Sequence, residues 1–350
     1  MEWIVVVIVF SALIFVHEFG HFIVALRSGI KVEIFSLGMG PKIFSIVKNG
    51  IEYRISAIPI GGYVKMAGED PSEKREGRPW EFLSASVGNR FRVSIAGSLV
   101  NYVFGFILFV AVFLVGYPVT TTVESVLDNY PAKEAGIQAN DRIIAIDGIP
   151  VRNLMMAMDI IKSRTEGAIK LTLQRQDSSI DVEFKPAVEE GLDIFSNKAK
   201  VAKIGVMFSN KPVYKKFGIG ESVSLALNET FWMTKFTYRT IWSMFAGRVK
   251  VKEVAGPTGI IVITAAAAKA GLSMLLYITA LISLSLAIFN LLPFPPLDGG
   301  LVLFLAIEKL RGKPLSFKTQ ERIMRAGWIL IITFLLFVTY NDFFRFILKK

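Results

Sequence analysis

Long charge-free runs alternate along this chain with stretches in which apolar and polar residues interleave, and the two patterns predict different elements. Trp3 to Leu26 is the first long apolar run, enough to cross a hydrocarbon core of roughly 30 Å at about 1.5 Å per residue. Val93 to Tyr117 carries no charged residue, and Gly271 to Leu297 is a third such run, ended by its prolines. Ala326 to Asn341 is shorter and completes a span with flanking Phe343, Phe344 and a snorkelling Arg345. Four spans are expected. A cleavable leader is the other reading of the first run, but Glu2 stands where a leader carries Lys or Arg, the run is too long, and no small-residue cleavage site follows, so it is expected to stay.

The interleaved stretches read differently. Lys42 to Lys48 and Ile51 to Ile58 are β-prone runs separated by Asn49-Gly50, a pair suited to a type I′ turn. A membrane-associated β-hairpin is expected there. Pro59 to Met66 reads PIGGYVKM, in which Gly61 and Gly62 let the backbone turn sharply or approach another element closely, and Glu69 to Pro79 reads as an exposed connection. Strand patterns at Thr121 to Leu127, Arg142 to Asp147, Ala168 to Gln174 and Ser179 to Phe184 predict a small inserted α+β domain. Ser222 to Phe245 has helical spacing of apolar residues, which suits either an interfacial helix or a helix of that domain. The expected divisions are 1–117, 118–187, 188–270 and 271–350, in a polytopic α-helical membrane protein of four spans.

Composition narrows the chemistry. Hydrophobic residues make up 53% of the 350 and mean hydropathy is +0.50, too apolar for a chain held wholly in water. The net charge of +11 comes with no nucleic-acid recognition motif, and basic loops beside apolar spans are the ordinary way to face anionic lipid. Arg27, Lys31, Lys42, Lys48, Arg54, Lys65, Arg90 and Arg92 fall between the first two spans, and Lys309, Arg311, Lys313, Lys318 and Arg322 between the last two. By the positive-inside tendency both loops are cytoplasmic, with the termini and region 118–270 outside. There is no cysteine, so a transition metal must use His, Asp or Glu.

His17-Glu18-Phe19-Gly20-His21 is an H-E-x-x-H sequence, and these are the only two histidines of the chain. On a helix, positions i and i+4 lie on one face about 5–6 Å apart, so both imidazoles can grip one zinc ion while Glu18 takes a proton from an attacking water. An ionisable residue inside a span costs at least about 2.5–3.5 kcal/mol, which marks Glu18 as functional. A catalytic zinc needs a third protein ligand, and with Cys and His exhausted a carboxylate is expected. Asp298 is best placed, because it matches His21 in depth and follows Pro293, Pro295 and Pro296, which must break the helix beside protein or a water-filled cavity.

Taken together, H-E-F-G-H at 17–21, G-G-Y-V-K-M at 61–66 and N-L-L-P-F-P-P-L-D-G-G at 290–300 resemble the site-2 protease family of intramembrane metalloproteases, close to its bacterial sigma-factor-regulating group, over nearly the whole chain. The resemblance implies Zn2+ held by His17, His21 and Asp298, catalysis by Glu18, and regulated intramembrane proteolysis of single-span membrane proteins such as anti-sigma factors, already trimmed by another protease. It implies substrate handling by Asn290 and Pro293, clamping of an extended substrate strand by the hairpin, and an inner (plasma) membrane location with the active site towards the cytoplasm. Tyr130 to Ile137 through Asn140 to Gly148 resembles the PDZ pattern of bacterial membrane proteases, with Asn140 where glycine is usual. Ser98 stands where that family often has proline, and Asn101 after it reads as an interhelical hydrogen-bonding residue or a merely structural one. Two other readings compete: an ion or proton transporter relaying through Glu18 and Asp298, and a PDZ membrane scaffold with a dead metal site.

Overall fold

The computed structural model describes residues 2–70, 76–151, 153–192, 198–209, 211, 213–248 and 256–343. In chain order its elements are α1 (Glu2–Arg27), β1 (Val32–Lys48), β2 (Ile51–Met66), α2 (Val87–Val115), β3 (Tyr117–Val119), β4 (Val123–Val126), α3 (Pro131–Glu134), β5 (Arg142–Ile146), β6 (Ile149–Pro150), α4 (Leu154–Ser163), β7 (Ile169–Arg175), β8 (Ser178–Phe184), β9 (Ala187–Leu192), β10 (Lys198–Lys203), β11 (Val206–Phe208), β12 (Val213–Lys215), α5 (Ile219–Phe245), α6 (Pro257–Ala270), α7 (Leu272–Asn290), α8 (Asp298–Arg311) and α9 (Phe317–Asp342). Two compact units result: residues 1–111, 223–237 and 255–350 form the first, and 112–222 with 238–254 the second.

In the first unit, α1, α2, α7 and α9 are long and apolar enough to cross a membrane. The expected spans therefore fall on helices, although Phe344 and Arg345, invoked to complete the fourth, lie outside the described residues. The third differs from expectation. Its helix stops at Asn290, the chain turns through 291–297, and Asp298 opens a new helix, α8, which runs to Gly312 in the left-handed region (φ 67°). Asp298-Gly299-Gly300 starts a helix, where a carboxylate is favoured by the helix dipole.

The hairpin is longer than its two β-prone runs. Asn49 (φ 53°) and Gly50 (φ 76°) form the tight turn, consistent with type I′ geometry. PIGGYVKM, however, is not a loop: it continues β2, with Gly62 opposite Leu37 and Met66 opposite Val32. Residues 34–37 of β1 lie beside both Glu52–Ile55 and Gly62–Lys65, so β2 doubles back and leaves 62–66 as a border segment. Pairing overrode the local preference of two glycines for a turn. The close approach expected of them occurs, since a Cβ on Gly62 would lie 3.4 Å from Glu18 Cγ. Around this junction Phe22, Ala25, Ile30, Val32, Phe35, Val64, Met66, Phe82 and Val93 form a buried apolar cluster, while Ile43, Phe44, Ile46 and Val47 of β1 stay exposed.

The second unit has a four-stranded sheet in the order β6-β5-β7-β8, with β11 paired to β4 and β12 to β3. Its strands alternate as half-buried strands should: Ile169, Leu171 and Leu173 point inward. Asn153 caps α4 by accepting from Met156 N–H at 2.7 Å. Asn140 adopts φ 72°, the left-handed conformation that Asn tolerates better than most residues.

Candidate metal centre

One helical turn of α1 places His17 and His21 side by side, with their Nε2 atoms 3.2 Å apart. Backbone must come close for anything to meet them there, and α2 does so at Gly97: a Cβ at that position would lie 2.4 Å from His21 Nε2 and 2.8 Å from His17 Cε1. Gly97 is thus the clearance that lets α2 cover the histidine pair. From the other end of the chain, the start of α8 brings Asp298 Oδ2 to 3.3 Å from His17 Nε2 and 3.6 Å from His21 Nε2. One ligand atom from each of the three lies within 4.8 Å of the others.

A second layer of contacts orients these groups. His21 Nδ1 lies 2.8 Å from the Val93 carbonyl; donation to that oxygen leaves Nε2 as the free lone pair facing the cluster. Ser98 Oγ, completely buried, donates to Asp298 Oδ2 at 3.0 Å. The border segment of β2 lies against Glu18, with a Cβ on Gly62 falling 3.4 Å from its Cγ and Val64 lining the same cavity. Glu18, both histidines and Asp298 line one cavity of about 180 Å³, together with Val64, Met66, Glu69 and Val93 among others. Glu69 accepts from Met66 N–H at 3.1 Å, and burial pushes its carboxyl above the ordinary range against the pull of that hydrogen bond.

The geometry sorts the residues singled out in the sequence. His17, Glu18, His21 and Asp298 come together. Asn290 and Pro293 do not line this cavity; Asn290 ends α7 and Pro293 is exposed in the turn after it. The Asn101 backbone carbonyl accepts from Ser283 Oγ at 2.8 Å, while its side-chain oxygen has no partner among the described residues. Sequence reasoning noted Ser98 only as a departure from a pattern and placed Glu69 in an exposed connection. A serine one helical turn from Ser94, on the face carrying Gly97, was the signal available for the first; nothing local pointed to the second.

Comparisons with known proteins identify the family. The description "Peptidase family M50" matches residues 5–334. A protein of Campylobacter jejuni named "Putative zinc metalloprotease Cj1068" is 31% identical, over 99% of this chain and 94% of its own. A Clostridium acetobutylicum protein of the same description, CA_C1796, is 33% identical over 97% of this chain and 96% of its own. Among solved structures, the PDZ domain of the SdrC-like protein of Listeria monocytogenes matches 26% of this chain and 88% of its own at 24% identity, with a TM-score of 0.21, too low to support an argument. With a family match across nearly its whole length and relatives above 30% identity along it, the chain belongs to Peptidase family M50, the site-2 protease family.

Proposed function

We propose that this protein is an intramembrane zinc metalloprotease that performs regulated intramembrane proteolysis of single-span membrane proteins, such as anti-sigma factors, after another protease has trimmed them. The observation that carries the reading is the meeting of His17, His21 and Asp298, drawn from helices at opposite ends of the chain, within 4.8 Å beside Glu18. Two imidazole nitrogens and one carboxylate oxygen, with the far nitrogen of His21 engaged by a backbone carbonyl, are a donor set that suits zinc. When bound, zinc supplies Lewis acidity to the scissile carbonyl and lowers the pKa of water towards about 7.

The protein's own groups do the rest. Glu18 takes a proton from the attacking water as its oxygen bonds to the carbonyl carbon. It returns that proton to the amide nitrogen as the C–N bond breaks. Ser98 and the Val93 carbonyl hold Asp298 and His21 in place. A substrate helix hides its peptide bonds and must unwind first; the border segment 62–66 of β2, whose Val64 lines the cavity with Glu18, offers backbone partners to the freed strand. Asn290 and Pro293 are assigned to substrate handling at the α7–α8 break. The lysines and arginines at 27–92 and 309–322 support an orientation with the catalytic end of α1 on the cytoplasmic side of the plasma membrane and the PDZ-like region outside.

The test is cleavage of a single-span substrate by the purified protein in detergent. The native chain is expected to cut, chelation to stop it and zinc to restore it, and Glu18→Gln to hold zinc while losing activity by about 10²- to 10⁴-fold. A native chain that binds zinc yet cuts no substrate in a panel would favour a scaffold, and one that binds no zinc would remove the site assignment.

A further inference from the structure

The cavity around Glu18 contains a carboxylate for which the proposed chemistry has no use. Glu69 follows the border segment of β2 and lines the same cavity as His17, Glu18, His21 and Asp298, its carboxylate oriented by Met66 N–H. Among the described residues it makes no ion pair, and Lys65, Arg90 and Lys31 are engaged with other groups. Lys65 pairs with Glu33 at 3.4 Å, Arg90 with Glu308 at 2.5 Å, and Lys31 sits over the Trp80 ring at 5.1 Å. A divalent ion would be balanced by Glu18 and Asp298, which leaves Glu69 as one further acidic side chain lining the site among the described residues.

From this we infer that Glu69 is a specificity residue that receives a Lys or Arg of the substrate. The inference rests on the protease reading and its orientation. Ala67, two residues before Glu69, donates its N–H to the Lys31 carbonyl at 2.9 Å, just beyond the C-terminal end of α1, so Glu69 lies towards the cytoplasmic end of that helix. A substrate strand laid along β2 passes Glu18 near Gly62 and Val64 and then reaches Glu69 about two to four residues further on, at about 3.3 Å per residue. Membrane spans carry their lysines and arginines at the cytoplasmic end, so this is where a trimmed single-span substrate brings its first positive charge. The pairing would set how deep the bond to be cut lies, and a span whose cytoplasmic flank is acidic would be refused.

The experiment uses the full-length protein in detergent with single-span substrates that carry Lys, Ala or Glu at each of those flanking positions in turn. The native enzyme is expected to cut the best Lys substrate with a kcat/KM about tenfold above its Glu counterpart, mainly through KM, with the gap narrowing as salt rises. Glu69→Gln should flatten the preference and Glu69→Lys reverse it, while Glu69→Asp keeps it and zinc content stays unchanged in all three. A merely structural role in the turn predicts loss of activity towards every substrate alike and no reversal. Equal cleavage of Lys, Ala and Glu substrates by the native enzyme overturns the inference whether or not the variants fold, and leaves the protease reading standing. A native enzyme that holds zinc and cuts none of them overturns that reading, and this inference with it.

Discussion

Along β7 and β8 of the second unit, Ile169, Leu171 and Leu173 are fully buried while Lys170, Ser179 and Glu183 face outward. Along α9 of the first unit the arrangement is reversed: Trp328, Ile329, Leu330, Leu336 and Phe337 are exposed, and the polar side chains of α2, Ser94, Ser98 and Asn101, are buried. Water organises one unit and lipid the other. A strand domain in water gains stability by hiding apolar area, whereas helices in lipid gain little from that and depend on close packing and internal hydrogen bonds. The inside of the first unit is therefore a place where a metal, a base and their oriented partners can be kept, and its energetics hang on clearances and polar contacts.

Substitutions can break that contrast on one side at a time. The largest effect is expected at Gly97: a methyl group there meets His21 Nε2 at 2.4 Å, so Gly97→Ala should abolish zinc binding, measured by metal content after dialysis, without changing hydrogen exchange in β5 and β7. If Gly97→Ala retains full zinc affinity, the clearance argument is wrong. Next comes Asp141 in the second unit, 1% exposed and bonded by Arg175 Nε and Nη2 at 2.7 Å each and by Gln138 N–H at 2.8 Å. Asp141→Asn removes the charge facing Arg175 and weakens its paired hydrogen bonds, so it should destabilise that unit, read as faster exchange of the β5 and β7 amides at fixed pH, with zinc affinity untouched.

The same residue gives a pH dependence. Burial opposes ionisation of Asp141, but Arg175 and Gln138 N–H outweigh it and hold its carboxyl below the ordinary range. A depressed folded pKa contributes stability above the unfolded value of about 3.9 that is lost as pH falls through the folded value. Acidification below about pH 4 should therefore lower the protection of the β5 and β7 amides relative to their intrinsic exchange rates in the native chain, and add little to the Asn variant. The smallest effect is expected from Ser98→Ala, which removes the hydroxyl on Asp298 Oδ2 and should weaken zinc binding about 10- to 100-fold in chelator competition, with Ser98→Thr recovering part of it.

Much of the helical framework was legible because a span is a local property: the runs around Val6, Val103, Leu284 and Leu335 are apolar whatever surrounds them. The turn at Asn49-Gly50 was legible for the same reason. What pairs at long range was not. PIGGYVKM reads as a break until Leu37 is opposite Gly62, α6 is a short apolar helix within what read as a connection, and α8 hides behind Asp298-Gly299-Gly300 and a basic tail. At the centre, the H-E-x-x-H spacing carried His17, Glu18 and His21 by itself; the absence of other ligand types asked for a carboxylate, and depth beside the proline-broken helix narrowed it to Asp298. Ser98 and Glu69 gain meaning only from the groups that folding sets opposite them.

The origins of the centre also have a consequence in time. Its histidine pair is complete at residue 21, but its carboxylate arrives 277 residues later (298 − 21). At about 5–20 residues per second a ribosome needs roughly 15 to 55 seconds to cover that interval, during which α1 carries two of the three candidate ligands. On the proposed assignment, a growing chain is inert towards its neighbours until α8 has been made and docked, so catalytic competence waits on the second half of the site.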